Sequence, residues 1–127
     1  MIFTAGTLVL KFWIPPNQSG FNKIVEEGYN IASSLKLEVI GLAYNCQETL
    51  ATNILRCKRL GSYFQDFNIT ILENNSTDNT AHILKNSDVE FIIEKRSKPY
   101  FSEESPERFS YLAELRNNLL DTIRNKP

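Results

Sequence analysis

The apolar run at 69–72 ends in an acid and an amide, Glu73 and Asn74. β-Branched and apolar residues favour a buried strand, and the Asn, Ser and Asp residues at 75–78 favour a turn. In an open α/β sheet, ligands bind outside the carboxyl ends of the strands. The sequence therefore predicts that Glu73 and Asn74 border a ligand crevice, where a carboxylate and an amide can hydrogen-bond to a ligand. The alternative is that they close the strand and begin the turn.

Two arginines, Arg108 and Arg116, lie on or beside the apolar side of the last predicted helix. At about 100° per residue, they project within its apolar stripe or at the edge of that stripe. The stripe consists of Leu112, Leu115, Leu119 and Ile123. Because burial of an unpaired charge is costly, each guanidinium must meet a carboxylate, backbone carbonyls or an anion. The ordinary alternatives are a salt bridge, for example to Glu73, and extension of the side chain into water.

Alternating strands and helices must position these side chains. Mostly apolar runs predict strands at 37–43, 68–73 and 89–94, with helices at 49–61 and 78–86 between them. In the first of these helices an apolar face is expected from residues that recur at spacings of four, three and four: Leu50, Ile54, Cys57 and Gly61. This order is typical of a parallel sheet with right-handed crossovers. Ser105, Pro106 and Glu107 predict the start of the last helix, through an N-cap, a proline in the first turn and a favourable acid. The expected fold class is α/β, a Rossmann-like βαβαβ sheet with flanking helices.

The remaining segments carry weaker signals. Residues 21–35 predict a helix, with Ile24, Gly28 and Ile31 as one possible apolar stripe, and residues 95–104 predict a loop. The apolar run at 1–14 stops at Pro15-Pro16 and is shorter than the roughly 20 residues of a membrane span. We therefore divide the chain into an N-terminal segment of uncertain structure, residues 1–36, and a domain at 37–127.

Three segments together resemble the nucleotide-sugar-binding half of a GT-A-type glycosyltransferase of the family-2-like kind. They are VIGLAYN at 39–45, ENNSTDNT at 73–80 and RFSYLAELRN at 108–117. The first resembles the first strand and loop of that family, the second its strand-ending acid and turn, and the third its helix with the pattern R…LA.LRN. The resemblance spans residues 37–124 and implies a truncated GT-A fold at 37–127.

The resemblance also implies a function and a site. It implies transfer of a sugar from a nucleotide-diphospho-sugar to an acceptor hydroxyl that is not identified. Glu73 would accept a hydrogen bond from the base or ribose, and an arginine is suited to bidentate diphosphate recognition. The implied nucleotide-binding residues are Ala43, Tyr44, Asn45, Glu73, Asn74, Arg108 and Arg116.

The catalytic half of the family pattern is missing from this sequence. The resembling enzymes bind Mg²⁺ or Mn²⁺ through an Asp-x-Asp motif after the last helix, and that motif has no counterpart before Pro127. No catalytic residue is therefore assigned. Activity is expected only if a downstream or partner segment completes the site. The alternative is a non-catalytic nucleotide-binding module or an inactive remnant of such an enzyme.

Composition, cysteine spacing and the lack of glycine-rich motifs argue against several other kinds of partner and site. With 127 residues the chain is expected to form one domain at most, and a net charge of −1 gives no electrostatic reason to expect nucleic acid or an anionic membrane as partner. One histidine and two cysteines without CxxC spacing do not predict a zinc site. The separation of Cys46 and Cys57 predicts reduced thiols and a cytoplasmic location. No glycine-rich loop follows Gly41, so neither a P-loop nor a dinucleotide fingerprint is present.

Overall fold

The computed structural model describes residues 18–97 and 104–125. In these residues three parallel strands lie in the order β1-β2-β3, with helices on both faces of the sheet. The predicted α/β class and Rossmann-like parallel arrangement are confirmed. The elements are α1 (Gln18–Ala32), β1 (Lys36–Ala43), α2 (Gln47–Gly61), β2 (Asp66–Asn74), α3 (Thr80–Lys85), β3 (Glu90–Glu94) and α4 (Pro106–Arg124).

The central strand β2 pairs in parallel with both neighbours. Ala43, the last residue of β1, lies opposite Glu73, and Glu94, the last residue of β3, lies opposite Asn74. All three strands therefore end at one edge of the sheet, the carboxyl edge. Because successive side chains of a strand alternate between the two faces, Glu73 and Asn74 point to opposite faces.

A first apolar cluster fills the face covered by α2 and α3. Leu50 and Ile54 of α2 and Leu84 of α3 pack there with Ile69 and Ile71 of β2. The α2 residues recur at a spacing of four, and Cys57 and Gly61 continue the same side of the helix. The sequence predicted this apolar face of α2, and it is confirmed.

A second apolar cluster lies between the other face of the sheet and α4. Leu72 is 1% exposed and packs with Tyr111, Leu115 and Leu119. The spacing of these three helix residues is four and four, which places them on one side of the helix. The predicted stripe placed Leu112 in this row, but Leu112 is half-buried, and Tyr111 is the buried residue at the N-terminal end of the row. The prediction of Leu112 at this position was therefore wrong, and the hydroxyl of Tyr111 reaches the end of β2 instead.

Helix α4 begins where the sequence predicted. Ser105 is its N-cap and accepts a hydrogen bond from the Arg108 backbone N–H at 3.2 Å, and Pro106 occupies the first turn. Tyr111, in the second turn, contacts the last residue of β2. The first turns of α4 therefore lie beside the carboxyl edge.

Helix α1 forms without joining either cluster. It begins three residues before the predicted position and contains no buried residue, and Ile24 and Ile31 remain 67% and 62% exposed. Residues 1–17 of the predicted N-terminal segment and residues 98–103 of the predicted loop lie outside the described residues. None of the helices within the described ranges combines the length and the hydropathy needed to cross a membrane.

Candidate functional site

Glu73 is the penultimate residue of the central strand and points to the face covered by α2 and α3. It is only 2% exposed, and its carboxylate accepts a hydrogen bond from the Ser76 backbone N–H at 2.6 Å. Its register partner Ala43 is also buried, and the chain then continues into half-buried Tyr44. The structure thus brings Glu73, Ala43 and Tyr44 to adjoining strand ends. A carboxylate held in one orientation there can accept a further hydrogen bond from a ligand N–H or O–H.

Asn74 is committed to contacts inside the protein on the opposite face. Its Nδ2 donates to the Glu94 backbone carbonyl at 2.9 Å and to Asn75 Oδ1 at 3.0 Å. Its Oδ1 accepts from the Tyr111 hydroxyl. A primary amide has two N–H donors, and here both are bonded within the chain. Asn74 therefore links β2, β3 and α4. To donate a hydrogen bond to the edge of a nucleotide base, its amide would have to break one of these bonds.

Asn45 joins the loop after β1 to the loop after β2. Its backbone φ is 45°, in the left-handed region that asparagine tolerates better than most residues. In this conformation its N–H donates to Ser76 Oγ at 3.0 Å, and its Oδ1 accepts from the Thr77 N–H at 2.8 Å. Glu73 also binds the Ser76 N–H, so the end of β2 and both loops form one connected unit.

The same two loops satisfy the first backbone N–H groups of α2 and α3. Cys46 N–H donates to Thr80 Oγ1 at 2.8 Å, and Gln47 N–H donates to Asp78 Oδ2 at 3.1 Å. In return, Asn79 N–H donates to the Gln47 side chain at 3.0 Å. Free N–H groups at helix starts are what make a phosphate-binding loop. Because side chains already occupy these groups, a bound phosphate would have to be held by other groups of the protein.

Asp78 carries the charge of this loop unit. Partial burial acts to raise the pKa of its carboxyl, but hydrogen bonds from the Thr80 side chain and from the Thr80 and Gln47 backbones outweigh that effect and hold the pKa below its ordinary value of 3.8. Hydrogen bonds to a carboxylate favour its charged form. Asp78, which precedes the N-cap of α3, therefore accepts hydrogen bonds from the first backbone N–H groups of both helices.

The two predicted arginines do not lie together. Arg108 is half-buried in the first turn of α4, next to the carboxyl edge, whereas Arg116 is exposed. Eight residues separate them, which is about 12 Å along a helix axis. Only Arg108 is placed beside the strand ends, so a single diphosphate group at that edge would meet Arg108 first.

A shallow cavity of about 300 Å³ opens beside this loop unit. Of the predicted residues it contains Asn45 alone, and its lining residues are Asn45, Cys46, Gln47, Glu48, Thr49 and Asp78. Its volume is at the lower end of the range for small-molecule sites. Glu73, Asn74 and both predicted arginines lie outside this lining.

Sequence reasoning missed two residues that organise the strand ends, Tyr111 and Arg96. Tyr111 had a signal, because it lies four residues before Leu115 on the same side of the helix. Arg96 had none: its guanidinium pairs with Glu94 and Glu114 and lies 5.1 Å from the centre of the Tyr111 ring. Glu114 is eighteen residues away in the chain.

The described residues do not fit the metal that the resemblance implies. Within 18–97 and 104–125, no three His, Cys, Asp or Glu side chains are grouped so that they could hold a metal ion. Both cysteines are free thiols. The structure therefore assigns no ligand for Mg²⁺ or Mn²⁺ in this part of the chain, and we derive no chemical step through such an ion.

Comparison of the chain with protein-family models, with curated proteins and with solved structures gives no match.

Proposed function

We propose that this chain is the nucleotide-binding part of a GT-A-like glycosyltransferase, with a nucleotide-diphospho-sugar as ligand. One observation carries the proposal: Glu73 is buried at the carboxyl end of the central parallel strand, directly beside the end of β1. Ligands of open α/β sheets bind at this edge. The resemblance of the segments at 39–45, 73–80 and 108–117 supports the choice of ligand.

In this proposal Glu73 recognises the base or the ribose. Ser76 N–H holds its carboxylate in place, so little side-chain entropy is lost when a ligand binds. Tyr44 contributes an aromatic ring for stacking, with the main chain of Ala43 and Asn45 forming the neighbouring wall. Arg108 is the better placed of the two arginines for the diphosphate, and Arg116 reaches the ligand only at its outer end.

A binding role without sugar transfer is the second candidate. It is favoured by the bonded state of the loop N–H groups, since side chains rather than a ligand satisfy the starts of α2 and α3. The nucleotide would then be bound by Glu73 and other side chains, and the affinity of the protein for its phosphates would be modest. The two candidates share the same nucleotide site and differ in whether a sugar leaves the bound donor.

Calorimetric titration with ADP, GDP, CDP and UDP tests the shared site. We expect one of these to bind the wild-type protein, and Glu73→Gln to weaken its binding about tenfold, because a hydrogen bond to a charged group contributes about 1.5–3 kcal/mol. Glu26→Gln removes an exposed acid from α1, a helix that joins neither apolar cluster, and serves as the charge-matched control. Equal affinities of wild type and Glu73→Gln would reject the assigned role of Glu73.

Further variants separate the diphosphate role from a structural role. Arg108→Ala should weaken nucleoside diphosphate binding more than binding of the matching nucleoside. Arg116→Ala should change the melting temperature little, since the residue is exposed. Retained diphosphate affinity in both variants would remove the arginines from the site.

Release of free sugar or its transfer in the presence of Mg²⁺ or Mn²⁺ would decide for the enzyme over the binding module.

A further inference from the structure

A cluster around Arg96 joins three elements at the carboxyl edge, and the proposed nucleotide contacts do not use it. We call it the Arg96 cluster; it consists of Arg96, Glu94, Glu114, Tyr111, Asn74 and Asn75. The guanidinium pairs with Glu94 through Nε and with Glu114 through Nη1, the latter at 2.8 Å. Its other contact is the Tyr111 ring, 5.1 Å away, which is within cation–π range. One side chain thus connects the end of β3 to the first turns of α4.

The main chain of Arg96 holds the turn after β2. Asn75 Nδ2 donates to the Arg96 carbonyl and Arg96 N–H donates to Asn75 Oδ1, each at 2.8 Å. This pair of bonds extends the β2–β3 ladder by one step, with a side chain in place of a strand. It also holds Asn75 at a φ of 55°, in the left-handed region. Arg96 therefore determines the position of the turn that follows Glu73 and Asn74.

Both sets of contacts meet at Asn74. The Asn74 amide donates to Asn75 Oδ1 and to the carbonyl of Glu94, whose side chain holds Arg96. It accepts from the hydroxyl of Tyr111, whose ring the guanidinium contacts. Glu94 and Tyr111 contact the Arg96 guanidinium, whereas Asn75 bonds to the Arg96 main chain, so the guanidinium acts on the Asn74 amide through two of its three partners.

We propose that Arg96 is a positioning residue, which orders the Asn74–Asn75 turn and holds the start of α4 against the carboxyl edge. The turn leads into Ser76, whose N–H donates to Glu73. The effect of Arg96 on ligand binding therefore rests on the proposed function, in which Glu73 contacts the ligand. Its effect on the order of the turn does not require a ligand. Among the described residues the hydrogen bonds of Arg96 go to Asn75, Glu94 and Glu114 and not to Glu73, so the influence on the ligand is transmitted through the turn.

The chemistry of arginine suits this role better than that of lysine. Exposed ion pairs contribute little, and Glu114 is 62% exposed, but Glu94 and Arg96 are 28% and 22% exposed. The planar guanidinium can pair with two carboxylates and stack on a ring at the same time, whereas an ammonium acts as a point charge. Hydrogen bonds to Glu94 and then to Glu114 raise the pKa of Arg96 further above its ordinary value, so its charge is constant.

The test uses Arg96→Lys and Arg96→Ala in the full chain, with Lys95→Ala as the control that removes a neighbouring exposed charge. The first readout is the NMR exchange rate of the Asn74 side-chain amide protons, compared with backbone amides of Leu50 and Ile54 in the α2 cluster. We expect exchange at Asn74 to rise about tenfold in Arg96→Ala and by less in Arg96→Lys, with the α2 amides unchanged. The second readout is affinity for the nucleoside diphosphate that binds the wild type, which should fall about threefold or more in Arg96→Ala.

Two results would overturn the proposal. Unchanged exchange at Asn74 in both variants would remove the positioning role. An equal rise at Asn74, Leu50 and Ile54 would show that Arg96 merely stabilises the whole fold. A selective rise at Asn74 with unchanged nucleotide affinity would support the ordering of the turn by Arg96 and reject its effect on ligand binding. If the wild type binds none of the four nucleoside diphosphates, the proposed function fails, and a selective rise at Asn74 still establishes Arg96 as the residue that orders the turn.

Discussion

Replacement of Tyr111 by phenylalanine removes the hydroxyl that donates to Asn74 Oδ1. Tyr111 and Asn74 are 9% and 4% exposed, so water has little access to replace the lost donor. Loss of one partner from a buried hydrogen bond costs about 1–3 kcal/mol. At about 2.1 cal/mol/K per residue, unfolding of a chain of this length has an entropy near 0.27 kcal/mol/K, so 1 kcal/mol shifts the melting temperature by about 4 °C. We expect Tyr111→Phe to melt about 4–11 °C below the wild type.

The assay is thermal and urea unfolding followed by circular dichroism, with the urea m-value expected to stay constant. The matched control is Tyr63→Phe, because Tyr63 is 45% exposed. The free energy of unfolding of this control should stay within about 0.5 kcal/mol of the wild type.

A double-mutant cycle isolates the hydrogen bond itself. Asn74→Leu replaces the acceptor by an apolar group of similar size, so Tyr111→Phe in that background should cost close to zero. Two results would refute the reasoning: a cost below about 0.5 kcal/mol in the wild type, or the same cost in both backgrounds. Either would mean that Asn74 is not held by Tyr111.

Three further predictions concern the loops and the helix ends. Thr80→Val should cost about 1–3 kcal/mol, because it leaves the Cys46 N–H without its acceptor, whereas Thr80→Ser keeps the hydroxyl and should cost less in the same urea titration. The folded-state pKa of Asp78 is lowered, so the carboxylate stabilises the fold above the unfolded pKa of 3.8, and this stabilisation is lost as the pH falls through the folded pKa. Asp78→Asn should therefore lose less free energy of unfolding than the wild type over that acidic range. Gly61→Ala places a methyl group 2.3 Å from Phe67 Cγ and should cost about 1–3 kcal/mol, and Phe67→Ala should relieve that cost.

Several elements were predictable because their signals are local. Ser105 and Pro106 specify the start of α4 within one turn, and the structure has that helix at Pro106–Arg124. The spacing of Leu50, Ile54 and Cys57 predicted the apolar face of α2. Strand–helix alternation predicted the parallel sheet, since parallel strands need crossover connections. In each case the determining residues lie within a few positions of one another.

Helix α1 shows the limit of periodicity as a signal. The sequence predicted a helix with a possible stripe at Ile24, Gly28 and Ile31, and a helix is present. Yet Ile24 and Ile31 stay mostly exposed, because an apolar stripe specifies which side of a helix is suited to burial and not whether another element covers it. Burial depends on contacts with distant segments.

The amino-acid sequence by itself determined the fold class, the start of the last helix and the place of Glu73 and Asn74 at a strand end. Only the tertiary structure decided which helices cover the two faces on which these side chains lie, that Tyr111 rather than Leu112 reaches Asn74, and that Arg96 joins β3 to α4. The physical reason is the range of the interactions. Caps, turns and periodic faces act over a few residues, whereas Tyr111 and Asn74 are 37 residues apart and meet only when the sheet and α4 have packed.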